Sequence, residues 1–157
     1  MKRISIFITL LLFISTSRLF ACDCGESDLK KIDERSYKYS DLIIIGDVVK
    51  TGENYKIKVI EVLKGEEKDK IIRGTVTDER GYTNSCFTIP REKGRYIFYL
   101  NEIKKGKYFY SYSSCSGSRP LNMSVYPISL KTKMDKSELI SETNNWIEIL
   151  RENRNKL

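Results

Sequence analysis

The 157-residue chain is long enough for one domain of ordinary size, and its 31% charged and 40% hydrophobic residues suit a soluble globular protein. It contains no histidine, which removes the commonest general base, the Ser–His and Cys–His nucleophile pairs and most zinc-enzyme ligand sets. Its formal charge of +7 points to nucleic acid or anionic lipid only until the N-terminus is taken into account.

Residues 1–21 read as a secretion signal. Lys2 and Arg3 form a positive start, residues 4–14 an apolar run of 11, and Leu19-Phe20-Ala21 a cleavage site. The run is about half of the roughly 20 residues a membrane-crossing helix needs, so no transmembrane segment is expected. Removal of residues 1–21 takes Lys2, Arg3 and Arg18 with it, leaving 25 basic and 21 acidic side chains and a net charge of +4. Nucleic-acid binding loses most of its support. Leu19-Phe20-Ala21-Cys22 also approximates a lipobox, and the alternative it raises is a lipoprotein anchored through the Cys22 sulfur.

All four cysteines, Cys22, Cys24, Cys86 and Cys115, follow the cleavage site. An even number in an oxidising compartment reads as two disulfides. A Cys22–Cys24 bond would be strained across one residue, which leaves two long-range connectivities that the spacing does not separate. A structural zinc site is disfavoured, because Cys-x-Cys followed by two isolated cysteines lacks paired knuckles.

Ser27 is expected to cap a short helix carrying Leu29, Ile32 and Tyr39 on or near one face. Residues 42–50 (LIIIGDVVK) form an apolar strand in which Gly46 suits a bulge or tight bend. Strands are expected at 55–63 and 71–77, separated by a charged turn at 64–70, with a loop at 77–85 leading into Cys86. Residues 95–100 and 107–113 make a hairpin about Lys104-Lys105-Gly106. Asp135 and Glu138 form a capping box opening a C-terminal helix, 135–152, with Leu139, Thr143, Trp146, Ile147 and Leu150 in helical period. Tyr108, Tyr110 and Tyr112 share one strand face; they could stack bases or sugars, but packing beneath the terminal helices is favoured.

Five strands bracketed by helices define the expected fold: a mainly β, five-stranded OB-like closed barrel, one domain over residues 22–157. The grouping Asp78, Glu79 and Ser85 lacks any catalytic spacing, and no enzyme activity, cofactor or intrinsic metal is expected. Asn122-Met123-Ser124 matches a glycosylation sequon, too short a pattern to argue from; the lysine- and isoleucine-rich signal looks bacterial.

Several segments then carry a family resemblance. Cys22-Asp23-Cys24 resembles the Cys-x-Cys start of the tissue inhibitors of metalloproteinases and their netrin-like domain relatives. Residues 40–48 (SDLIIIGDV) are similar to the family's first strand, and Asn84-Ser85-Cys86 with Gly94-Arg95-Tyr96-Ile97-Phe98 to the segment around its third shared cysteine. Residues 115–121 (CSGSRPL) resemble a segment of the bacterial, single-domain members. The resemblance implies disulfides Cys22–Cys86 and Cys24–Cys115. It implies an inhibitory ridge of Cys22, Asp23, Cys24, Asn84 and Ser85, in which the freed amine and carbonyl of Cys22 chelate the catalytic zinc of a target metalloprotease. Asp23 departs from the small uncharged residue that enters the protease pocket in inhibitory members, and Gly25-Glu26 from the stiffer sequence that follows it.

The expectation is therefore a monomeric, exported metalloprotease inhibitor, secreted, periplasmic or at the cell surface. The alternative is a non-inhibitory exported adhesion or interaction module, either free or lipid-anchored at Cys22.

Overall fold

Asp28 starts the first helix, α1 (Leu29–Tyr39), its carboxylate accepting the Lys31 N–H at 3.0 Å. The computed structural model describes residues 22, 24–25, 28–78, 80–83, 85–103, 109–124 and 134–156. The signal segment, Asp23, Ser27, Glu79, Asn84, Tyr108 and the 104–106 turn lie outside the described residues. The cap is thus Asp28 rather than Ser27. Leu29, Ile32, Asp33 and Ser36 form the buried stripe of α1. Tyr39, the last residue of the helix, is 67% exposed instead of sharing it. Lys64 finishes the helix: its ammonium donates to the Tyr37 and Ser40 carbonyls at 2.6 and 2.7 Å and lies over the Tyr37 ring. That draws one lysine of the expected charged turn into a capping role.

The strands are β1 (Leu42–Lys50), β2 (Lys56–Lys64), β3 (Ile71–Gly74), β4 (Gly94–Ile103), β5 (Phe109–Ser111) and β6 (Arg119–Pro120). Their order is β1-β2-β3-β5-β4, and an antiparallel β1–β4 pairing from Leu42–Leu100 to Val48–Gly94 closes the sheet on itself. β3 and β5 run parallel; the other barrel neighbours are antiparallel. The result is a five-stranded OB-like barrel, with β6 added outside β4.

The apolar run in β1 serves two cores at once. Leu42, Ile44 and Val48 point into the barrel with Tyr55, Ile57, Ile72, Tyr96, Phe98, Leu100, Tyr110 and Tyr112. Ile43 and Ile45 point outward, where Ile97, Tyr99, Leu63 and the second helix, α2 (Lys136–Arg154), cover them through Ile147 and Leu150. A strand buried on both faces loses alternation and reads as continuously apolar. Gly46 sits at a register irregularity against β2, where a Cβ would run into the Ile57 side chain. Asp135 caps α2 through its bond from the Glu138 N–H at 2.8 Å, and Leu139, Thr143, Ile147 and Leu150 form its buried face.

Tyr110 and Tyr112 face the barrel interior, not the helices. Tyr112 meets Tyr55 and Phe98 edge to face, with centroids 5.8 and 5.5 Å apart. Tyr110 donates its hydroxyl to Glu67 at 2.8 Å, and Tyr55 donates to the Tyr110 carbonyl at 3.2 Å. Desolvation raises the pKa of all three phenols, so they stay neutral donors. Tyr110 and Tyr112 are buried and present no face to a base or sugar.

Candidate functional site

Two disulfides converge on the Cys-x-Cys segment. Cys22 joins Cys86 and Cys24 joins Cys115, with Cα separations of 5.2 and 5.0 Å. These are the pairings the resemblance implies. They spend all four sulfurs, so no thiolate set is left for a structural zinc. The bonds touch: the Cys22 and Cys115 sulfurs lie 3.5 Å apart. Cross-links 64 and 91 residues apart in sequence therefore meet at one spot.

The segments receiving these bonds are laced together. The Ser114 N–H donates to the Cys86 carbonyl at 2.8 Å, the Thr88 N–H to the Tyr112 carbonyl at 3.1 Å, and Phe87 forms a bridge with Ser113. A tight turn presents Cys115, whose N–H donates to Ser113 Oγ at 3.0 Å while Ser116 donates its hydroxyl to the Ser113 carbonyl at 2.8 Å. Ser85 is exposed beside Cys86. Asn84 and Asp23, the other proposed contacts, lie outside the described residues.

Arg35, which sequence reasoning passed over, is central to this geometry. From α1 its guanidinium donates to the Cys24 carbonyl at 3.0 Å and to the Cys115 carbonyl at 2.8 Å. It grips both half-cystines of one disulfide with the rigid fork that distinguishes arginine from lysine. A recess of about 160 Å³ lies beside it, bordered by Tyr39, Asn101, Ser113, Cys115 and Ser116.

A buried ionic network fixes α1 to the barrel and to α2. Arg119 donates to both oxygens of Asp33, to the Gly117 carbonyl at 2.6 Å and, through Nε, to Thr143 on α2 at 2.9 Å. The Tyr99 hydroxyl donates to Asp33 at 2.8 Å and accepts from the Trp146 indole at 2.7 Å. Burial works against the Arg119 charge, yet the Asp33 carboxylate holds its pKa above the ordinary guanidinium value. Burial, then the adjacent Asp33 charge, pushes the Tyr99 phenol far above its usual range. The Ser36 hydroxyl on α1 accepts the Gly117 N–H at 2.9 Å. The signal for this network was present in α1: a carboxylate at Asp33 on the stripe of Leu29 and Ile32 calls for a buried partner.

Of the Asp78, Glu79 and Ser85 grouping, Glu79 lies outside the described residues and Asp78 serves the loop. Asp78 Oδ1 accepts the Arg80 and Tyr82 N–H groups, both at 2.9 Å, and holds the loop tip. Among the described residues no three His, Cys, Asp or Glu side chains are placed to hold a metal, and no helix is long and apolar enough to cross a membrane.

No protein-family model matches the chain, and neither a curated protein nor a solved structure matches it significantly.

Proposed function

We propose that the chain is an exported metalloprotease inhibitor of the netrin-like type, acting through the amine and carbonyl of Cys22 once residues 1–21 are removed. One observation carries this reading: the segment from Cys22 to Cys24 is anchored from three directions, by the two disulfides and by Arg35. An exposed chain terminus is ordinarily loose. Three anchors on three residues have a physical rationale if that terminus must meet a partner already ordered, because little conformational entropy is then lost on docking. An α-amine with a pKa of about 7.7–8.0 supplies a neutral fraction near neutral pH, and a catalytic zinc keeps one position open for it. The chain's lack of histidine is no obstacle, because the mechanism asks for no catalytic side chain.

The alternative is a non-inhibitory interaction module, and its lipid-anchored form requires the Cys22 sulfur for a thioether. The Cys22–Cys86 disulfide occupies that sulfur, which counts against the lipid-anchored form.

The test compares a chain beginning at Cys22 with one carrying an extra alanine before it, against a panel of zinc metalloproteases. The extension leaves disulfides and core intact, so stability should change by no more than about 0.5 kcal/mol. Inhibition should fall by orders of magnitude because the chelate no longer forms. Inhibition that survives the extension unchanged rules out zinc chelation by Cys22.

A further inference from the structure

We propose that Arg35 is the positioning residue of the ridge, setting the direction in which the Cys22–Gly25 segment is presented; this rests on the inhibitory reading above. The two carbonyls it binds belong to the two ends of the Cys24–Cys115 disulfide, with donor distances of 3.0 and 2.8 Å. A disulfide fixes two side chains but leaves the attached peptide planes free to rock about their own backbone bonds. The guanidinium removes that freedom by holding both planes to a third element, α1.

The helix itself is immobilised. Asp33 and Ser36, flanking Arg35 on α1, bind Arg119 and the Gly117 N–H from the buried network. The path from core to ridge is therefore Arg119, Asp33, α1, Arg35 and the Cys24 carbonyl, with a named contact at each step. Two of its guanidinium nitrogens, Nη1 and Nη2, are used on the two carbonyls. Lysine keeps the charge but is a point donor on a flexible stem and cannot span both.

The test is Arg35→Lys in the chain beginning at Cys22, read by inhibition constant, melting temperature and amide hydrogen exchange. The expected result is inhibition weakened about tenfold or more, the factor for losing one charge-assisted hydrogen bond. Exchange should rise at the Cys24 and Gly25 amides and stay unchanged in β1 and β4, with the melting temperature near that of the wild type. Weaker inhibition without faster exchange overturns the proposal, because Arg35 would then be touching the target itself. Faster exchange with unchanged inhibition also overturns it, since docking would not depend on the anchored direction. If the wild-type chain inhibits no protease, the chelation reading falls. Arg35 is then judged by exchange alone, and no rise at Cys24 and Gly25 ends its assignment. Should Arg35→Lys fail to fold, Arg35→Gln, which keeps a single amide donor, carries the same measurements.

Discussion

Arg119 and Asp33 face each other with two parallel hydrogen bonds of 2.7 and 2.8 Å, and their side chains are 0% and 2% exposed. Such a pair contributes little net stability against a well-packed apolar substitute, but removing one partner strands a buried charge. Arg119→Met should therefore cost about 3–5 kcal/mol, measured by urea unfolding. Arg119→Met combined with Asp33→Leu should recover much of that loss. A single substitution costing under about 1 kcal/mol would show that the site rehydrates and that the network does not hold α1 as described.

The barrel was legible in the sequence, whereas of the network only the need for a partner at Asp33 was, and not the partner itself, for a physical reason. Strand pairing follows from patterns within a few residues, such as the continuous Leu42-Ile43-Ile44-Ile45 run that two cores demand. Period-two spacing places Tyr110 and Tyr112 on one face, but which face turns inward depends on closure of the whole sheet. The third strand, expected to reach residue 77, stops at Gly74. There Thr75 Oγ1 accepts the Thr77 N–H at 3.2 Å, a local bond that competes with the ladder. Arg35 and Arg119 were invisible as anchors because Cys115 and Asp33, their partners, lie 80 and 86 residues away. The ridge pairing came through resemblance, since spacing left two connectivities open.

Among the described glycines, Gly74 has the least room for a side chain. A Cβ there would fall within the Tyr55 ring, which is fully buried and whose carbonyl accepts the Gly74 N–H at 2.9 Å. The ring cannot withdraw without leaving the Tyr112 edge contact and its bond to the Tyr110 carbonyl. Gly74→Ala should destabilise the fold by about 1–3 kcal/mol or more, as overpacking does. Adding Tyr55→Phe should recover little, because the ring rather than the hydroxyl is in the way. A neutral Gly74→Ala in thermal or urea unfolding would contradict this packing.

Glu61 on β2 accepts the Nε–H and Nη2–H of Arg151 on α2 at 3.0 and 2.7 Å. The Arg151 hydrogen bonds lower the Glu61 pKa below its ordinary value, with desolvation opposing them in part. A folded-state pKa below the unfolded one contributes stability above the unfolded value, and loses it as pH falls through the folded value. The side chains are 26% and 40% exposed, so solvent screening keeps the contribution under about 1 kcal/mol. Glu61→Gln should thus be slightly less stable than wild type at pH 7, and the difference should vanish as pH falls well below about 4. Urea unfolding of both proteins across that range checks it. A gap that widens on acidification would reverse the sign and refute the assignment.

Asp23 offers the sharpest test of what the ridge meets. If the residue between the two cysteines enters a protease pocket, its carboxylate is desolvated there, at a cost unless a basic group waits. Asp23→Thr removes the charge while keeping a short side chain. It should strengthen binding to proteases with apolar pockets by about 1–3 kcal/mol, the cost of an imperfectly compensated buried polar group. Binding to any protease whose pocket carries a lysine or arginine should weaken, because the carboxylate loses its partner. Neither disulfide involves the position, so unfolding curves of the two chains should superimpose and separate recognition from folding. Inhibition constants for both chains against a panel spanning apolar and basic pockets supply the measurement. An interaction module that never inserts Asp23 predicts the same values for both chains throughout, and that flat outcome would remove the ridge from any protease cleft.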